Sequence, residues 1–114
     1  APTARRIKIS PETRTAILEG LHGAASAPGG TSTPVFQGFP IPIAGKTGTA
    51  ERPGHGDQSW FAALSPYPDP RIVTVATVEE GGFGAESAAP VVLDILEAFY
   101  DKQAAAVSSG GGAE

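Results

Sequence analysis

The sequence predicts an α+β domain in which an antiparallel three-stranded meander is flanked by two helices. Three observations predict it. Two segments, one towards each end of the chain, carry apolar residues at helical spacing behind a serine and a proline. Three segments between them are rich in β-branched or aromatic residues. The connections between those three are short and rich in glycine and proline, which suits antiparallel neighbours rather than crossovers. Helices covering one face of such a sheet complete the arrangement.

Taken in order, Ser10-Pro11-Glu12 starts the first helix. Ser10 can cap, Pro11 suits the first helical position, and Glu12 meets the positive end of the helix dipole. Ile17, Leu18, Leu21, Ala24 and Ala25 follow at helical spacing. Gly23 and the run Ser26-Ala27-Pro28-Gly29-Gly30 are expected to end it, leaving 26–40 as loop. Residues 41–50 (IPIAGKTGTA) predict a strand of an unusual kind. Pro42 cannot donate to a central ladder and two glycines weaken a strand, so an edge position is expected. A polar turn over 52–58 leads to a second strand, Ser59 to Ser65, and a proline-stiffened link over 66–70 leads to a third, Arg71 to Glu79. Gly81-Gly82-Phe83-Gly84 is expected as a flexible loop. Ser87 is expected to cap the second helix, with Pro90 in its first turn and Val91, Val92, Ile95, Leu96 and Phe99 as its apolar stripe. Residues 1–102 thus form the folded portion, and the low-complexity stretch 103–114 is expected to be a disordered tail.

Composition narrows the function. A chain of 114 residues makes one domain at most. The net charge of −4 argues against nucleic-acid binding, and the basic cluster Arg5, Arg6 and Lys8 is expected to be a solvated lead-in. With no cysteine, disulfides, thiolate metal sites and thiol catalysis are excluded. No apolar run approaches the ~20 residues of a membrane span, and no signal peptide is visible. The absence of any methionine leads us to expect an internal or processed segment. His22 and His55 are isolated, so neither is assigned a role, and His55 is expected to be solvated. Trp60 and Phe61 are expected in the core, while Asp57, Glu79 and Glu80 are expected to be solvated surface.

The informative segment is Gly45-Lys46-Thr47-Gly48-Thr49. A phosphate-binding P-loop would need glycine at position 40, where Pro40 stands, and a helix after the motif rather than a strand. The other reading is the Lys-Thr-Gly element of penicillin-reactive serine acyltransferases. Alternation puts Thr47 and Thr49 on one face of the strand and Lys46 and Gly48 on the other. Two hydroxyls on one face can grip a carboxylate, and the ammonium of Lys46 attracts it. Gly48 leaves room for a substrate backbone, and an edge strand can pair with an extended peptide.

The run from Ile43 to Glu51 (IAGKTGTAE) resembles the third-strand motif of class B penicillin-binding proteins. The run from Ser59 to Pro66 (SWFAALSP) is similar to the family's fourth strand, and Val75 to Gly82 (VATVEEGG) to its fifth strand and glycine turn. Ser87-Ala88-Ala89-Pro90 resembles the start of its C-terminal helix, and Ile9-Ser10-Pro11-Glu12-Thr13 the helix before the motif. The resemblance runs from about residue 8 to residue 101, in order and spacing, and is closest to elongation-type enzymes, which act in cell-shape maintenance.

The resemblance implies part of a penicillin-binding, β-lactamase-like transpeptidase fold. Family enzymes cross-link peptidoglycan through a serine acyl-enzyme formed on a D-Ala-D-Ala stem peptide, and β-lactams bind the same site. It implies that Lys46 contacts the serine of a Ser-x-Asn motif and favours the substrate carboxylate, and that Thr47 and Thr49 bind that carboxylate. The Thr49 N–H would form half of the oxyanion hole. No metal or organic cofactor is implied. Yet no serine here is followed three positions later by lysine, and there is no asparagine, so both Ser-x-x-Lys and Ser-x-Asn are missing. The expected partner is therefore an N-terminal remainder of the same enzyme carrying both motifs and the membrane anchor, which places the site on the extracytoplasmic face of the bacterial membrane. The fifth strand, here 71–79, would pair in the family with a strand of that remainder, so its edge is expected to be open and prone to association. Rival readings are a fragment of a D,D-carboxypeptidase or serine β-lactamase, and a non-catalytic binding module.

Overall fold

The computed structural model describes residues 2–111. Helix α1 (Pro11–Ser26) and a single helical turn, α2 (Thr33–Phe36), precede strands β1 (Ala44–Ala50), β2 (Gln58–Ser65) and β3 (Ile72–Val78). Helix α3 (Ala88–Gly111) follows. The strands form one antiparallel sheet in the order β1-β2-β3, with Thr47 opposite Phe61 and Phe61 opposite Ala76. The three-stranded meander is thus as expected.

Ser10 caps α1 through its hydroxyl, which accepts from the Thr13 amide at 3.1 Å. The helix passes through Gly23 and ends at Ser26, with Pro28 just beyond to prevent another turn. The stretch 26–40 is not loop throughout, because α2 forms within it. Its Phe36 is buried and stacks on Phe61 with ring centroids 5.3 Å apart.

Alternation along β2 decides which face is core. Phe61 and Ala63 point to the helices and are fully or almost fully buried, with Val92 and Leu96 of α3 against them. Burying each such side chain contributes about 1.5–3 kcal/mol for the larger ones, so this face dominates stability. Gly45 belongs to the same packing: a β-carbon there would lie 2.6 Å from Cζ of Phe61. Trp60, expected in the core, must then face the other way, and it is 40 % exposed. Val73 and Val75 share that open face and are exposed, and no strand pairs with the outer edge of β3 among the described residues. On α3 the stripe divides: Val92 and Leu96 are buried, whereas Val91 and Ile95 are exposed.

Two expectations for α3 are corrected. Ser87 does not cap it; its hydroxyl donates to the Gly81 carbonyl at 2.6 Å. The first amide of the helix, that of Ala88, instead donates to Ser59 Oγ on β2 at 3.0 Å. The helix also continues through 103–111, expected as disordered tail, because Gln103 and Ala104 to Ala106 favour helix even where exposed. Residues 112–114 of that stretch lie outside the described residues.

Candidate functional site

The sheet order leaves β1 at an edge, so among the described residues the Lys46–Thr49 segment has a ladder partner on one side only. Thr47 and Thr49 line one cleft of about 320 Å³ together with Thr31, Phe83, Gly84 and Glu86. Thr47 Oγ1 lies 3.3 Å from Thr31 Oγ1, so Thr31 on the loop before α2 joins the two strand hydroxyls. Lys46 projects from the opposite face, exposed, and its ammonium donates to the Thr47 carbonyl at 2.6 Å. The chain thus brings the two strand threonines together and holds Lys46 apart from their cleft. Gly48 is bare on the Lys46 side, where a β-carbon would lie 3.1 Å from Cβ of Trp60.

The other wall of the cleft is the glycine loop after β3, which the sequence suggested would be flexible. It is tied at several points. The Gly82 amide donates to the Asp57 carbonyl at 3.1 Å, Ser59 Oγ donates to the Phe83 carbonyl at 3.0 Å, and the Ala89 amide donates to the Gly84 carbonyl at 2.8 Å. Gly84 rests on the main chain of β1 and β2, where a β-carbon would clash with the Trp60 carbonyl. Glu80 takes a left-handed conformation at φ 52°, and its carboxylate lies 3.4 Å from His55 Nδ1, so His55 has a partner. Phe83 is 62 % exposed at the mouth.

Two contributors were missed from sequence, Thr31 and Ser59, and the glycine loop was expected first as a turn and only second as a binding loop. Thr31 follows a Gly-Gly pair and Ser59 reads as an ordinary strand residue, so no local signal distinguishes them. A larger cavity of about 580 Å³ lies between residues 37–41 and α3, lined by Phe39, Leu93 and Tyr100 with Glu97 and Asp101 at its edge. It holds no hydroxyl pair or cation of the kind found on β1. Among the described residues no three His, Asp or Glu side chains converge as a metal would require, and no helix is long and apolar enough to cross a membrane.

The helix-backed antiparallel sheet matches the fold of penicillin-binding transpeptidase domains. The chain belongs to the penicillin-binding protein transpeptidase domain family, which residues 1–97 match. Among curated proteins it is similar to the peptidoglycan D,D-transpeptidase MrdA of Salmonella typhimurium, 29 % identical over an alignment of 103 residues, with 77 % of this chain and 16 % of the relative covered. Among solved structures it superposes on Pseudomonas aeruginosa PBP2, crystallised with WCK 5153, with a TM-score of 0.76 at 29 % identity, covering 87 % of this chain and 22 % of the other. Penicillin-binding protein A of Mycobacterium tuberculosis, solved as an imipenem acyl-enzyme, gives a TM-score of 0.64 at 28 % identity over 81 % of this chain and 20 % of the other. The chain therefore spans about a sixth of the length of the curated relatives it matches.

Proposed function

We propose that this chain is the substrate-binding part of an elongation-type peptidoglycan D,D-transpeptidase. The observation that carries the reading is that Thr47 and Thr49 open into one cleft on an edge strand. Two hydroxyls there can receive the terminal carboxylate of a D-Ala-D-Ala stem peptide while its backbone lies along β1. Lys46, on the open face, is available to the Ser-x-x-Lys and Ser-x-Asn elements of the remainder of the enzyme. The N–H of Thr49 supplies one oxyanion donor, a contribution of about 10²–10³ in rate for such groups. The serine of the remainder attacks the penultimate D-alanyl carbonyl, D-alanine leaves, and the amine of a second stem peptide resolves the ester and frees the serine.

Several features support a companion polypeptide segment. The chain lacks its own nucleophile, and β3 has an unpaired outer edge flanked by exposed Val73 and Val75. The same reading takes β-lactams as ligands, consistent with the imipenem adduct of the mycobacterial relative. The working enzyme stands on the extracytoplasmic side of the membrane, anchored through the companion segment.

The test is labelling of the enzyme that contains this segment with a fluorescent penicillin, read on a denaturing gel after a cut between the two parts. Label on the companion alone supports the reading. Equal labelling of the wild type, Lys46→Ala and Thr49→Ala would refute the site, and rapid loss of label to water would point to a β-lactamase instead.

A further inference from the structure

We infer that His22 and Tyr67 form a clasp that fixes the entry of strand β1 and so act as positioning residues for the Lys46–Thr49 site. The inference rests on the reading of that site given above. Neither residue lines the cleft, and His22 drew no role from sequence.

The need for a clasp follows from the chain leading into β1. As an edge strand, β1 has β2 as its one ladder partner among the described residues, and it contains Gly45 and Gly48. The lead-in 40–43 reads Pro-Ile-Pro-Ile, and its two prolines have no N–H to donate. Such a segment can be secured mainly through its carbonyls. Two consecutive carbonyls are secured in this way. The amide of Tyr67 donates to the Pro42 carbonyl at 2.8 Å, and His22 Nδ1 lies 2.7 Å from the Ile43 carbonyl. A carbonyl only accepts, so Nδ1 carries the hydrogen in this contact.

The two donors are locked to each other. The rings of His22 and Tyr67 stack with centroids 4.0 Å apart and planes 3° from parallel. Ser26, one turn along α1, places its hydroxyl 3.1 Å from His22 Nε2 and donates to the His22 carbonyl at 2.7 Å. The imidazole is therefore held at Nδ1 and on one face, with the Ser26 hydroxyl beside its other edge. It joins α1, the link between β2 and β3, and the residue immediately before β1. Ile43 is three residues from Lys46, about 10 Å along an extended chain, so a shift at the clasp is carried directly into the site.

The test uses the whole enzyme that contains this segment. His22→Leu removes the donor, and His22→Asn keeps a donor close to the position of Nδ1. Tyr67→Ala removes the stacked ring, and Tyr67→Phe keeps it. We expect His22→Leu and Tyr67→Ala to lower the second-order rate of acylation by a fluorescent penicillin about tenfold or more, with His22→Asn and Tyr67→Phe within about threefold of wild type. Amide exchange at Ile43 to Lys46 should quicken in the two disruptive variants while that of α3 stays unchanged.

Unchanged exchange at Ile43 to Lys46 would overturn the clasp. Equal quickening in α3 would also overturn it, by showing general loosening of the fold. Equal losses in His22→Leu and His22→Asn would remove the hydrogen bond from the account. Lys46→Ala and Thr49→Ala serve as controls: if both acylate normally, the reading of the site fails, while exchange still judges the clasp by itself.

Discussion

Gly84 lies against Gly48. A β-carbon on Gly84 would come within 2.9 Å of both the amide nitrogen and the carbonyl oxygen of Gly48, so the loop after β3 touches the main chain of the Lys-Thr-Gly strand. Only a residue without a side chain allows that approach. Gly84→Ala must push the loop off β1, with a cost of about 1–3 kcal/mol as for other overpacked sites. The expected result is a lower denaturation midpoint together with weaker penicillin acylation of the enzyme that contains the segment.

Thr49 and Thr47 face one cleft, and their hydroxyls are the groups proposed to receive a carboxylate. Thr49→Ser keeps the hydroxyl and should retain acylation within a few-fold. Thr49→Val keeps the shape and loses the hydroxyl. A hydrogen bond to a charged group is worth about 1.5–3 kcal/mol, so acylation should fall roughly ten- to a hundredfold. Stopped-flow measurement with a fluorescent penicillin checks both, and equal rates in the two variants would remove the hydroxyl from the proposal.

Ser59 serves two elements with one oxygen, donating to the Phe83 carbonyl and accepting from the Ala88 amide, both at 3.0 Å. Ser59→Ala leaves both backbone groups in a buried place without that partner. Destabilisation of about 1–3 kcal/mol is expected, measured by urea denaturation.

Ser65 Oγ is buried and has no hydrogen-bond partner among the described residues. The hydroxyl contributes a desolvation cost with no compensating bond, so Ser65→Ala should leave stability unchanged or raise it by about 1 kcal/mol. A clear fall in the urea midpoint would show that the hydroxyl has a partner after all.

Val73 and Val75 are exposed beside the unpaired edge of β3. The chain by itself is expected to associate as concentration rises, and Val75→Lys should suppress that association, because an edge charge opposes strand addition. Sedimentation velocity at several concentrations provides the check.

The sequence made the element order and the edge position of the Lys-Thr-Gly strand legible, because these depend on local signals: Pro42, two glycines, and β-branched runs between turns. Alternation also placed Thr47 and Thr49 opposite Lys46. It separated Trp60 from Phe61 without saying which one meets the helices; the packing of Phe61 on Phe36 and Gly45 decides that. Contacts between distant segments were not legible. Ser59 and Ala88 are 29 residues apart, and Ser87 looked like the better cap from its position alone. His22, 21 residues from Ile43, gave no hint of the carbonyl it would meet. Low complexity after Lys102 hid a helix, because alanine favours helix whether or not it is buried.

The single oxygen of Ser59 also bears on how a ligand is admitted. It binds the cleft's loop wall and the first turn of α3 to the middle strand at one point. Such a wall cannot swing as a lid without breaking the bond from Ser59 to the Phe83 carbonyl and that from the Gly82 amide to the Asp57 carbonyl. On the proposed function the cleft is preorganised, and a ligand entering it would give up little entropy in ordering the protein. Discrimination at this wall would then rest on shape at the moment of contact, with a bulky substituent rejected by steric conflict and not by failure to trigger closure.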